Sequence, residues 1–151
     1  MWKHILKVVL LAGCLDIAAA CIQAYLTGGV RPGTVMRYIA SGWYGKQAFS
    51  GGTFYLFFGL LVHFFIVFAI TTGYFLLFPK LRILQKNVLL SAILLAITAW
   101  VVTARIIVPL SNIETPPFSL SKALVALFIL VCCIGLPIAY LTRRFYNRLN
   151  S

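Results

Sequence analysis

Acidic residues are nearly absent from this chain: Asp16 and Glu114 stand against 13 Lys and Arg in 151 residues. Charge of either sign is scarce, at 10% of positions, where a water-soluble domain carries about a quarter. A soluble globular fold is excluded on that ground. Disorder is excluded too, because it needs low hydrophobicity. Cysteine is limited to Cys14, Cys21, Cys132 and Cys133. No C-x-x-C occurs, and Cys14 and Cys21 would lie ~10 Å apart on one helix, too far to bridge. Thiol–disulfide chemistry has no basis here.

Histidine is as rare, with His4 and His63 alone. One intramembrane histidine cannot ligate a pair of haems axially, and Asp16 with His63 is too small a set for zinc. The sequence therefore leads to an expectation of no metal and no cofactor. The run Gly42-Trp43-Tyr44-Gly45-Lys46-Gln47 lacks the spacing of a phosphate loop and the hydroxyl residue after its lysine. No nucleophile–base pair is legible, so no catalytic residue is assigned.

What the chain has in abundance is apolar sequence: 62% of residues come from the AVILMFWYC set, and the mean hydropathy is +1.01. A spanning helix needs about 20 mostly apolar residues. Four stretches qualify, at about 5–27, 53–78, 88–110 and 120–142. The ten-residue alternating strands of a membrane barrel are missing, and only helices or closed barrels satisfy the backbone in hydrocarbon. The expected fold is one all-α domain: a polytopic membrane protein, a four-helix transmembrane bundle with a short interfacial helix in its first loop.

The formal net charge of +11 would suggest nucleic acid in a soluble protein. In a membrane protein it follows from basic loops facing the cytoplasm and anionic lipid, and no nucleic-acid partner is expected. In an even-span protein Lys3, Lys7, Lys80, Arg82, Lys86, Arg143, Arg144 and Arg148 share one side, eight in all; Arg31, Arg37, Lys46 and Lys122 make four on the other. Eight against four places both termini in the cytoplasm. Leu11-Ala12-Gly13-Cys14 resembles a lipoprotein cleavage box. The apolar run before it is short and the chain stays apolar after it, so an uncleaved first span is expected.

The first loop is too long to be featureless. Pro32 suits a first helical position, and Val35, Met36, Ile39, Ala40 and Trp43 recur at helical spacing. Arg31, Arg37 and Lys46 sit off that stripe. Trp43 and Tyr44 are residue types that settle at headgroup level. These five form the candidate lipid interface, on a helix expected to lie on the outer surface as a connector, or as a lid over a site between the spans.

Three ionisable residues fall inside spans: Asp16, His63 and Arg105. Such residues are costly in lipid and normally face the bundle interior. Ala12, Gly13, Asp16, Ala19, Ala20, Gln23 and Thr27 form one small, polar face of the first span. Ser91, Thr98, Arg105 and Asn112 recur every seven residues on the third, a drift of only about 20° per repeat on an ideal helix. Asp16, His63, Arg105, Gln23 and Thr98 are thus the candidate intramembrane polar site. Two uses are open: an Asp16–Arg105 ion pair fixing helix register, or a polar cavity open to the outside in which Asp16 and His63 exchange protons and Arg105 holds an anion or tunes Asp16. Pro137 should free the carbonyl of Cys133 in the fourth span.

Leu15-Asp16, Ile39-Ala40-Ser41-Gly42 with Gly45-Lys46, Gly51-Gly52, His63, Val108-Pro109-Leu110-Ser111, Pro117-Phe118 and Ile134-Gly135-Leu136-Pro137 follow in order. Together they resemble a family of small uncharacterised four-span bacterial inner-membrane proteins. The resemblance implies a bacterial cytoplasmic membrane and no particular activity; Arg105 departs from its pattern, where a neutral polar residue fits. The sequence supports a small transporter or permeation module. Its rival is a non-catalytic subunit, assembly factor or lipid-interacting scaffold, self-associating or bound to another membrane protein. A lipid-headgroup enzyme near Arg31, Arg37 and His63 is a weaker third.

Overall fold

The computed structural model describes residues 1–113 and 119–149. Glu114 and the Pro117-Phe118 pair lie outside the described residues. Among the described residues six α-helices follow in order, with a short 3-10 helix at Gly45–Phe49 after the second: α1 (Trp2–Gly28), α2 (Pro32–Tyr44), α3 (Phe54–Leu77), α4 (Arg82–Lys86), α5 (Val88–Leu110) and α6 (Leu120–Leu149). Of these, α1, α3, α5 and α6 are long and apolar enough to cross a membrane, as the hydropathy pattern predicts. The one boundary that moves substantially is the last. α6 runs on to Leu149, because Arg143 to Leu149 continue the helix as a polar, basic extension.

Local chemistry sets the ends. Gly29 takes the left-handed conformation (φ 64°) that closes α1, its N–H donating to the Tyr25 carbonyl at 2.8 Å. Pro32 opens α2 at the position where its missing N–H costs nothing. The Asn87 side chain accepts from the N–H of Leu89 at 2.8 Å and caps α5.

Both α5 and α6 widen into a π-helical turn, at Val102–Ile107 and Val131–Gly135. Each turn ends two residues before a proline, Pro109 and Pro137. A proline offers no N–H to the carbonyl four residues back and its ring crowds that carbonyl. The carbonyls concerned belong to Arg105 and Cys133, and both lie within the widened turns, which absorb the mismatch without breaking either helix.

The bundle is unevenly filled. Its apolar core gathers at the end holding the chain termini and α4: Ile5, Val8, Phe75, Leu84, Leu95 and Ile138 are all buried. There His4 meets Phe145 with ring centroids 4.8 Å apart, Phe78 stacks on Tyr146 at 5.3 Å, and the Tyr146 hydroxyl donates to the Phe75 carbonyl at 2.9 Å. These contacts bring the start of α1, the end of α3 and the end of α6 together, so the eight basic residues of the termini and second loop share one end.

Close crossings hold the rest. A Cβ on Gly59 would collide with the Met36 carbonyl of α2, and one on Gly135 with the Ala92 carbonyl of α5. Only glycine permits either approach. α3 packs along α1 and α2, while α5 packs along α6. α3 and α5 are joined at the basic end by a buried hydrogen bond between the Tyr74 and Ser91 hydroxyls. Toward the other end they part.

Candidate functional site

Where α3 and α5 part, a half-enclosed cavity of about 950 Å³ opens, within the usual range of ligand sites. Its back wall is α1, through Asp16, Ala20 and Gln23, with Ala126 and Ile129 of α6 beside them. Its flanks are α3 and α5. α2 and the Ser111–Ile113 segment close the far end, tied together where the Asn112 N–H donates to the Gly42 carbonyl at 3.1 Å. Phe65 of α3 and Ile106 of α5 line the cavity while remaining 69% and 48% exposed. Its mouth therefore opens sideways, on the apolar flank of the bundle.

Asp16 and His63 meet at the inner end of this space. The His63 Nε2 lies 3.0 Å from the Gly13 carbonyl oxygen and 4.0 Å from Asp16 Oδ2. A carbonyl can only accept, so Nε2 carries the proton and donates it to Gly13. Nδ1 has no protein partner among the described residues and is an acceptor in the neutral ring. The Asp16 carboxylate accepts no hydrogen bond from any described residue; 4.0 Å is too long for one. Both side chains are mostly buried, at 11% exposure for His63 and 19% for Asp16.

α1 delivers Asp16 because its small-residue face turns inward as its spacing predicts: Ala12 and Gly13 are buried, and Ala19, Ala20 and Gln23 half-buried. On α3, His63 shares the buried stripe of Gly59, Val67, Thr71 and Tyr74.

The third helix departs from expectation. Thr98 is exposed, and its hydroxyl donates to its own helix at the Leu94 carbonyl, 2.8 Å away. Arg105 is exposed as well, its guanidinium 5.4 Å from the Trp100 ring centre. The ionisable side chain beside Asp16 is His63, and Arg105 lies outside the cavity lining. The cause is that α3 and α5 part beyond Ser91, which is buried against Tyr74 on the same side of the helix as Thr98, whereas Ala92, Leu95, Ala96 and Ala99 are buried against α6. That small-residue stripe lies roughly 90° around the helix from Thr98 at 100° per residue. The π turn then re-registers everything after Val101.

α2 is more than a surface connector. Its Met36–Ala40 stretch packs against Gly59, and Val35, Tyr38, Ile39 and Trp43 form the end wall of the cavity. Burial holds the Tyr38 phenol above its ordinary pKa, so at neutral pH it stays a neutral donor. Of the expected interface residues, Arg31, Lys46 and Trp43 are exposed. Arg37 is half-buried with its Nε lacking a hydrogen-bond partner. Tyr44 turns inward, edge-on to Phe54, Tyr55 and Phe58 at 5.0–5.9 Å.

Sequence reasoning missed the Gly13 carbonyl, Tyr38, Trp100 and the Tyr74–Ser91 bond. The Ala92, Ala96, Ala99 spacing was the available signal for the inward face of α5. Among the described residues no cluster of three His, Cys, Asp or Glu could hold a metal. The four cysteines are free. The chain matches no family profile, no curated protein and no solved structure.

Proposed function

We propose that this chain is a small membrane transporter or permeation module that takes up an amphipathic molecule from the bilayer and holds its polar end at Asp16 and His63. One observation carries the reading. A carboxylate that accepts no hydrogen bond from any described residue faces a cavity of about 950 Å³ whose mouth opens on the apolar flank. An intramembrane ionisable group that lines a cavity instead of being sealed by packing marks a substrate or proton pathway.

The setting follows the charge. Eight basic residues at the terminal end against four at the other favour both termini inside, and the resemblance to four-span bacterial inner-membrane proteins suggests a bacterial cytoplasmic membrane. The cavity then belongs to the outer half of the bilayer. Exposed Arg31 and Lys46 beside Trp43 suit contact with anionic headgroups there. An impermeant maleimide should label Lys46→Cys in intact cells, and Arg148→Cys only after permeabilisation, in a background without the native cysteines.

The activity is tested in proteoliposomes holding a pH-sensitive dye. Alkyl amphiphiles with cationic, neutral and anionic head groups are added under a proton gradient. Proton movement above that of protein-free vesicles, lost in Asp16→Asn, is the expected result. Movement that survives Asp16→Asn rejects the site. No movement with any amphiphile leaves the non-catalytic subunit or scaffold as the better reading.

A further inference from the structure

At the inner end of the cavity the hydrogen-bonding capacity that Asp16 and His63 leave unspent is acceptor capacity. His63 spends its Nε2 proton on the Gly13 carbonyl, 3.0 Å away. That leaves Nδ1 as a lone-pair acceptor. Asp16 Oδ2 stands 4.0 Å from the same ring and takes no hydrogen bond from a described residue. An ionised carboxylate in an apolar site is costly unless a donor or a positive charge reaches it. Basic side chains that could supply one lie elsewhere: Arg105 is outside the lining, over Trp100, Arg37 of α2 is half-buried but also outside the lining, and Arg31 and Lys46 are exposed on the α2 segment. No described residue brings a donor within hydrogen-bonding distance of the carboxylate, the Gln23 amide and the Tyr38 hydroxyl lining other parts of the cavity, so at this end the ligand must bring the donors.

The walls restrict the rest of the ligand. They are predominantly apolar, with the aromatic faces of Phe58, Phe65, Trp43 and Trp100 among them. The mouth between Phe65 and Ile106 lies on the apolar flank, the side that a molecule in the acyl-chain region would enter from. Such walls accept a long hydrocarbon body and attract a cation passing over their rings. A head group with several N–H bonds can donate to the Asp16 carboxylate and the His63 ring at once. A quaternary ammonium, with none, can answer the charge but not the hydrogen bonds.

We infer that the ligand is a long-chain primary amine, bound as its ammonium ion with N–H donated to Asp16 and to His63 Nδ1 and its chain along the cavity wall. This rests on the proposed site and narrows it to one class of head group. No bond is made or broken; one proton remains on the amine.

Tryptophan fluorescence tests it, because Trp43 and Trp100 line the cavity. The protein, carrying Trp2→Phe, is placed in lipid nanodiscs and titrated with octadecyl probes brominated along the chain. The head groups are primary amine, trimethylammonium, alcohol and carboxylate. The amine should quench saturably and at least about tenfold more tightly than the other three, the worth of charge-assisted hydrogen bonds over charge or chain alone. Asp16→Asn should weaken the amine about tenfold or more, and Asp16→Glu should keep most of its affinity.

Equal affinity for amine and trimethylammonium overturns the hydrogen-bonding part of the claim and with it the primary amine. Equal affinity for all four head groups, abolished by Ala20→Trp, overturns the amine class while the cavity reading stands. Absence of saturable quenching by any probe overturns both. Should Asp16→Asn fail to fold, the head-group ranking on the Trp2→Phe protein and on Asp16→Glu still decides the matter.

Discussion

His63 reaches across from α3 to the main chain of α1: its Nε2 lies 3.0 Å from the carbonyl oxygen of Gly13, and Asp16 is held 4.0 Å from the same nitrogen. The histidine is thus anchored by backbone and only approached by the carboxylate. This ranks the two residues for stability. The Gly13 contact is a made hydrogen bond, whereas Asp16 is a mostly buried acceptor with no donor among the described residues.

Removing the two side chains should therefore have opposite consequences. His63→Leu forfeits the Gly13 hydrogen bond and is expected to cost about 1 kcal/mol of stability in detergent. Asp16→Asn removes a poorly compensated buried charge and should leave stability unchanged or raise it. Denaturant titrations followed by circular dichroism measure both. A large loss in Asp16→Asn would mean that the carboxylate is structurally paired.

Arg105 and Asp16 should act independently. Arg105 lies over Trp100, away from the cavity lining. In a double-mutant cycle Asp16→Asn and Arg105→Gln are expected to add within about 0.5 kcal/mol. A coupling of 1 kcal/mol or more would restore the pair that the seven-residue spacing first suggested.

The α2–α3 crossing has no room for a side chain at Gly59, where a Cβ would meet the Met36 carbonyl. Backbone cannot swing aside as a flexible side chain does. Gly59→Leu is expected to cost about 3 kcal/mol or more and to displace α2 from the end of the cavity. Protease nicking of the first loop, faster than in the parent protein, reports that displacement.

The Tyr74–Ser91 hydrogen bond is the pin that joins α3 to α5 at the closed end. Tyr74→Phe and Ser91→Ala should each destabilise by about 1–2 kcal/mol. The double variant should lose little more than either alone, since both delete the same contact. Full additivity would show that the hydroxyls do not meet.

How far the sequence carried this account differs from helix to helix. For α1 the inward face was legible, because Ala12, Gly13, Asp16, Ala20 and Gln23 are small or polar against a background of Leu and Ile. For α3 a single histidine among phenylalanines marked the face. For α5 the polar residues misled. Thr98 can satisfy its hydroxyl on the Leu94 carbonyl of its own helix, so it needs no interior, and packing chose the alanine stripe instead.

What the sequence alone determined is where the chain can cross a membrane, and that result is nearly complete: every spanning helix begins and ends close to its hydropathy limits except the basic extension of α6. The reason is that transfer of a residue into hydrocarbon depends on its own chemistry and adds up along a window. Tertiary structure alone decided which groups meet. It set the Gly13–His63 bond, the retreat of Arg105, the docking of α2 and the parting of α3 from α5. Those depend on helix crossings at Gly59 and Gly135 and on the π turns before Pro109 and Pro137, where rotation of a helix by a fraction of a turn changes every partner while leaving its hydropathy the same.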